Sequence, residues 1–486
     1  MKARRSIALA GSLGVGLVIL FLGASGVWLI PRRPALAVDG VRYVAPAGTD
    51  GANTCLDPAA PCATIQHAID VADAGDLIRV AGGTYSRAGT VAAVDKALGI
   101  EGGYSDDFSI HDPEGYRTIL DAQRQGSVVS ATDVSDLWLH HLILTRGNGT
   151  GNCPNGCGGG IYARNTELRV GYCVISDSVA NASGSGWGQG GGIYAQNAGF
   201  VHVWNSRIIS NSAARPATTV SEGDGIYASV GNVRIETSEI LSNGAAAAQG
   251  SGLSLQYLDS LDLLTNTIRG NHTTRAGGGL FLSSSQDVRI VGNVIEANRC
   301  DGHTGGGMWL VGARGEVSRN IIRNNAGAAS VSVYSSNPLT FANNLISGGR
   351  YGISILGNSP LGSRAVLANN TIVDNGPIGV QAMYTTTLAM TNTLVAGHGE
   401  GLNLRAPFSG TTSIETCLFW NDSGDPAGAI HADPLLDSLY RPMAGSPAVD
   451  AGTALLWVGV DLLGQPRPQA GGYDIGAYEG TITTIF

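Results

Sequence analysis

Residues 158–163 read GGGIYA, and the pattern returns as GGGIYA at 190–195, GDGIYA at 223–228, GSGLSL at 250–255, GGGLFL at 277–282 and GGGMWL at 305–310. The copies begin every 27 to 33 residues. Repeats of that length imply a stacked architecture, because one unit is too small to bury its own apolar face. The last three letters alternate. In GGGIYA the Ile and the Ala point one way and the Tyr the other, as along a β-strand. Further on the glycines fade but the strand persists, as Val331-Ser332-Val333, Ile353-Ser354-Ile355, Val380-Gln381-Ala382 and Leu402-Asn403-Leu404.

A second element follows each copy. It ends in an apolar residue three positions before an asparagine: Ile208/Asn211, Ile240/Asn243, Ile268/Asn271, Ile295/Asn298 and Ile322/Asn325. A polar row lies five positions before those asparagines, at Ser206, Ser238, Asn266, Asn293 and Asn320, and continues through Asn344, Asn370 and Asn392. Stacked coils pair their backbones at ~4.8 Å and bring like residues into rows. Asparagine suits the corners because it tolerates left-handed backbone angles, and stacked amides can hydrogen-bond along the axis. These rows predict an all-β solenoid of roughly ten short coils.

The repeat resembles the right-handed parallel β-helix superfamily that includes pectate lyases. The glycine signature with Ile-x-x-Asn is also similar to the repeats of polymorphic outer-membrane proteins, which usually carry Phe where this chain has Ile. The resemblance implies a single-stranded right-handed parallel β-helix over roughly residues 40–480. It implies no particular activity, since fold does not dictate function.

Composition agrees with a solenoid of tight turns. Glycine supplies 71 of 486 residues, while 43% of residues are apolar and only 14% charged. The net charge of -9 argues against nucleic acid, which wants a basic face. Residues 1–37 read as a signal peptide or signal anchor. Lys2, Arg4 and Arg5 precede an apolar run from Ile7 to Ile30 that reaches the ~20 residues needed to span a bilayer. Ala35-Leu36-Ala37 offers a cleavage site before Val38. The expectation is therefore a secreted or cell-surface protein, touching membrane only through this segment. Cys55 with Cys62, and Cys153 with Cys157, are near enough to close local disulfides in an oxidising compartment. Metal is the rival reading for such pairs, but no His/Cys pair near Cys153 and Cys157 completes four ligands. Spacing assigns no bond to Cys173, Cys300 or Cys417.

Residues 38–150 read as an N-terminal cap with the first irregular coils. Ile65, Ala68, Ile69 and Ala72 recur at helical spacing, so 64–73 is predicted as a short capping helix, followed by a strand over Leu77–Val80. Residues 151–425 hold the regular coils and 426–486 a C-terminal cap. Ser446-Pro447-Ala448-Val449-Asp450-Ala451-Gly452, Gly464-Gln465-Pro466-Arg467-Pro468 and Asp474-Ile475-Gly476-Ala477-Tyr478-Glu479 resemble the choice-of-anchor Q region of surface β-helix proteins. A sorting signal often follows that region. Seven residues follow Glu479 here, so the resemblance leaves anchoring to the N-terminal segment. Asp450, Asp461, Asp474 and Glu479 could bind Ca²⁺, the one cofactor the sequence suggests, or could form turns around a buried Arg467.

Three features could carry function. Tyr162, Tyr194, Tyr227, Phe281 and Trp309 form an outward aromatic row, interrupted by Ser254, that suits sugar rings or a partner surface. The rival is a set of rings stacked on one another or covered by loops. A charged row at His202, Arg234, Asp262, Arg289 and Glu316 alternates in sign over its last four members, which fits a surface ladder better than the clustered carboxylates of a lyase. Asp301 and His303 form an acid–histidine pair in the loop before GGGMWL. The Asn-Thr-Asp and Gly-His-Gly pattern of polygalacturonases and the Asp-His and Arg-x-Pro-x-x-Arg elements of pectate lyases are missing. The sequence thus reads as a non-catalytic, adhesin-like binder of polysaccharide or cell-surface glycan. The alternatives are a polysaccharide lyase or glycoside hydrolase, and a structural envelope component.

Overall fold

The computed structural model describes residues 38–154, 156–181, 188–214, 221–244, 252–302, 305–358, 362–424, 426–469 and 471–480. These residues wind into a right-handed parallel β-helix with three strand-bearing faces. The first face carries the repeat strands, such as Ile161–Arg164, Ile193–Gln196 and Leu280–Ser283. The second carries Leu168–Gly171, Phe200–Trp204 and Val288–Val291, and the third carries Val174–Ser176, Arg207–Ile209 and Val294–Glu296. Every strand pairs in parallel with its counterpart one coil on. Ile161, Tyr162 and Ala163 lie opposite Ile193, Tyr194 and Ala195, which lie opposite Ile226, Tyr227 and Ala228. The first two faces merge into one sheet because Ile226–Glu236 and Leu253–Leu264 run unbroken around the corner between them. The third face is a sheet of 14 strands, more than the roughly ten coils expected. The additional coils lie where the glycine signature is absent, at either end.

Inward side chains stack in rows. On the third face Leu144, Ile175, Ile208, Ile240, Ile268 and Ile295 lie in register and fully buried. The third-face strands have at most four residues each and are too short to hold alone, so these rows are what fixes them.

Two buried polar rows run beside them. In one, Asn211, Asn243, Asn271, Asn298 and Asn325 each stack on the next. The backbone N–H and the side-chain amide of Asn243 both donate to Oδ1 of Asn271, at 2.9 and 3.1 Å, and the same Asn243 amide donates to the Ile208 carbonyl at 2.8 Å. The left-handed angles at this corner belong to the preceding residues, among them Ser210, Ser242, Ala297 and Asn324. The asparagines are therefore selected for hydrogen bonding along the axis and not for their own backbone angles. The second row runs through Ser206, Ser238, Asn266, Asn293, Asn320, Asn344 and Asn370. Its next member is Thr393, not Asn392. Thr393 is buried and donates to the carbonyl two residues earlier, as Ser206 and Ser238 do. Asn392 has φ 49° and belongs to the corner itself, with Asn343 and Asn369. Cys173 heads this row, its N–H donating to Ser206 Oγ at 3.1 Å. Burial pushes the thiols of Cys173 and Cys417 up to about 12.

The N-terminal end is closed by helix Ile65–Val71, two residues shorter at its C-terminal side than its predicted span. Thr64 caps it by accepting from His67 N–H, and Ile65, Ala68 and Ile69 enter the core. The Gln66 carboxamide pairs with both backbone groups of Ala93, donating at 3.1 Å and accepting at 2.8 Å. A side chain thus supplies the partner that a further strand would have provided. Cys55–Cys62 and Cys153–Cys157 are disulfide-bonded.

After Ile430–His431 pairs with Leu418 and Phe419 on the third face, the C-terminal segment leaves the stack. It folds back along the outside of the third face. Ala448, Leu462, Ile475 and Tyr478 pack with Leu345, Leu394 and Leu418 in a second apolar cluster. The corner asparagines hold it: Asn343, Asn369 and Asn392 donate to the carbonyls of Val460, Asp474 and Thr453 at 2.8, 3.0 and 2.7 Å.

Candidate functional site

The aromatic row divides into two parts. Tyr162, Tyr194 and Tyr227 point outward as alternation requires, yet they are only 7%, 3% and 6% exposed. Their rings stack at 5.4 Å with planes within 8°. The Cys153–Cys157 loop packs on them to make a small apolar cluster of its own. The expectation of an open tyrosine strip is corrected: these rings are buried cross-strand packing beneath a second layer. Ser254 ends the stack. Beyond it Phe281 and Trp309 are half-buried and face each other at 5.1 Å.

Trp309 opens a groove that runs over the following coils, with a volume of about 330 Å³. Its floor is polar. Ser332, Ser354 and Gln381 occupy the outward position held by Tyr and Trp in earlier coils, in register with Trp309. Ser354 Oγ donates to Gln381 Oε1 at 3.1 Å. The Gln381 amide nitrogen is buried and has no hydrogen-bond partner among the described residues. Tyr334 and Tyr351 form walls, and Arg350 lies over the Tyr351 ring at 5.4 Å. Arg350 and Arg405 are exposed at the rim. Among the described residues lining the groove there is no Asp, Glu or His.

The charged row lies on the second face. His202 pairs with Glu236 at 2.9 Å, and Arg234 bridges Glu236 at 2.7 Å and Asp262 at 3.5 Å. Arg289 reaches Asp262 at 3.0 Å. Glu316 stands opposite Arg289 in the register and is exposed. Burial raises the Asp262 carboxyl, and the two guanidiniums work against that rise. An arginine stands between the two acids, so the row is a ladder of ion pairs and not a carboxylate cluster. Asp301 is held by His272 at 2.9 Å and by Arg299 at 2.5 Å. His303 lies outside the described residues.

The acidic set of the C-terminal segment is also built for structure. Asp461 accepts from the N–H groups of Leu463, Gln465 and Glu479, and Asp474 from those of Asp450 and Gly480. Glu479 accepts from Gln469 and Asp474 N–H and pairs with buried Arg467. Asp450 points its side chain to the exposed surface. Calcium is not what these oxygens are arranged around: they terminate turns and neutralise Arg467. Among the described residues the only three potential ligands mutually within 4.8 Å are Cys55, Cys62 and His67, and there the sulfurs are bonded to each other.

One constellation has no counterpart in the sequence reading. Early on the second face Glu101 accepts from Tyr104 and pairs with His140 at 3.4 Å. Burial alone would raise the Glu101 carboxyl, but hydrogen bonds from His140 and Tyr104 bring it down to about 2. His140 lies flat on Trp138 at 5.1 Å and edge-on to His141 at 4.3 Å. His141 stacks on Tyr172 at 4.9 Å. Burial and the neighbouring His140 and His111 press His141 down to about 4. The available signal was positional: His141, Tyr172 and Asn205 each sit one or two residues after a second-face strand, at the corner.

The family model for the right-handed β-helix region matches residues 154–362 and 307–431, more than half of the chain, and the chain belongs to that family. No curated protein matches it. Among solved structures it is similar to pectate lyase Pel9A, with 14% identity, a TM-score of 0.40 and coverage of 92% of this chain and 97% of that one. It is similar to the periplasmic alginate epimerase AlgG, with 13% identity, a TM-score of 0.40 and coverage of 71% and 77%. It is also similar to XylC in complex with xylose, with 10% identity, a TM-score of 0.41 and coverage of 91% and 99%. Among the described residues no helix is long and apolar enough to cross a membrane.

Proposed function

We propose that this is an exported glycan-binding β-helix that holds an acidic polysaccharide in the first-face groove without cleaving it. The observation that carries this reading is the groove's composition: aromatic walls, a floor of hydroxyls and amides, and cationic rims at Arg350 and Arg405. Aromatic faces suit the C–H face of a sugar ring, and buried amides fix its hydroxyls. Guanidinium groups recognise carboxylate or sulfate in a planar, bidentate fashion. The unpartnered Gln381 amide supports a ligand that supplies an acceptor. The two disulfides support an oxidising compartment.

The test is affinity electrophoresis through gels containing polygalacturonate, alginate or a neutral polymer, with release of unsaturated product followed in parallel. Retention by an acidic polymer is expected. It should be lost in Trp309→Ala and in Arg350→Gln/Arg405→Gln, and weakened by salt as exposed charge pairs are. Equal mobility in all gels would refute binding, and product release would replace binding with lyase activity.

A further inference from the structure

We propose a second carbohydrate site, at the corner between the second and third faces, where Tyr172, backed by His141, presents a ring face as a platform for an uncharged pyranose chain. It is separate from the first-face groove and does not depend on the reading given there.

The corner holds a groove of about 630 Å³, within the range of small-molecule sites. Its platform is aromatic. Tyr172 is 48% exposed and stacks on His141 with planes 24° apart. Both residues have φ near +54°, in the left-handed region, where a bulky side chain is disfavoured. Other coils place Asn205, Thr237, Thr265, Arg319 or a glycine, Gly292, at this point, none of them aromatic. The platform is held from behind. His140 meets the Tyr172 ring edge-on at 5.1 Å, and His111 meets His141 edge-on at 5.0 Å, with His111 Nε2 3.0 Å from the Gly102 carbonyl. An aromatic plane fixed before binding loses little freedom when a ligand arrives.

The chemistry around the platform selects a neutral ligand. Glu114 and Arg117 line the same groove with opposite charges, and Asn205 adds an amide. These groups can take vicinal hydroxyls in pairs, and their opposite charges leave the groove no net attraction for a polyanion. Pro113, Ile143 and Val174 supply the apolar remainder. His141, pressed down to about 4, adds no charge at neutral pH. Farther along the same edge the protein's own C-terminal segment lies on Asn343, Asn369 and Asn392.

Saturation-transfer NMR on the full chain with neutral gluco-, manno-, xylo- and galacto-hexaoses tests this. At least one should bind, with Tyr172 resonances perturbed. Tyr172→Asn installs a residue that other coils carry at this corner, so the coil still closes, and it should weaken that binding about ten-fold. Glu114→Gln/Arg117→Gln should weaken it too, whereas Arg350→Gln/Arg405→Gln should leave it unchanged. If no neutral hexaose binds, or if Tyr172→Asn binds like the native chain, the site is refuted. Absence of acidic-polymer retention by the native chain, with hexaose binding intact, would refute only the first-face reading.

Discussion

At the scale of single residues, Asp224 stands apart. It occupies the middle of the glycine triplet, where sibling coils carry Gly159, Gly191, Gly278 and Gly306. It is fully buried. Oδ1 accepts from Ala213 N–H at 2.6 Å, and Oδ2 has no partner among the described residues. Burial pushes its carboxyl up to about 7. The folded state thus keeps a proton that the unfolded chain releases near 3.8. Stability from this residue must then fall as pH rises from about 4 to about 7 and level off above. Asp224→Asn should remove that fall. Thermal unfolding midpoints taken between about pH 5 and about pH 8 check it, and parallel slopes for variant and native chain would refute it. The aspartate is plain in the sequence, but its burial is not. The tyrosine row teaches the same lesson. Alternation gives the direction in which Tyr194 points, and whether that direction meets water depends on the Cys153–Cys157 layer, which comes from another part of the coil.

At the scale of the repeating element, the asparagine row is the main internal brace. Asn271 receives the backbone N–H and the amide of Asn243, and donates to Asn298 and to the Ile240 carbonyl. Asn271→Ala would leave several of these groups buried and unmade. A loss of about 3 kcal/mol is expected in urea unfolding, since each orphaned buried group costs roughly 1–3 kcal/mol. A loss below about 1 kcal/mol would mean that the coils adjust around the gap. This row was legible because the Ile-x-x-Asn pattern is preserved through five coils. The second row was legible only up to its end. Coils at 343–344 and 369–370 carry two asparagines side by side, one at the left-handed corner and one in the buried row. Spacing cannot tell such neighbours apart, and at 392–393 the buried place passes to Thr393. The floor of the first-face groove was hidden for a related reason. Ser332, Ser354 and Gln381 look unremarkable in sequence and become a surface only when stacked in register with Trp309.

At the scale of the whole molecule, the C-terminal segment covers an apolar stripe that the coils alone would expose. Leu345, Leu394 and Leu418 are at most 6% exposed because of it. A chain ending after His431 should therefore bind a hydrophobic dye strongly or fail to stay soluble. Unchanged dye binding and solubility would show that the stripe tolerates water. The segment's Pro, Gly and Asp content reads as turns in the sequence. Its docking position follows from corner residues scattered over 50 positions, from Asn343 to Asn392, which no local pattern links. The buried sulfurs of Cys173, Cys300 and Cys417 lie early, midway and late along the solenoid, outside the two disulfides. In the finished protein all three are shielded from an alkylating reagent. A brief pulse of such a reagent during refolding would mark only coils that have not yet closed, so the chain carries its own reporters of whether winding starts at one end or at both.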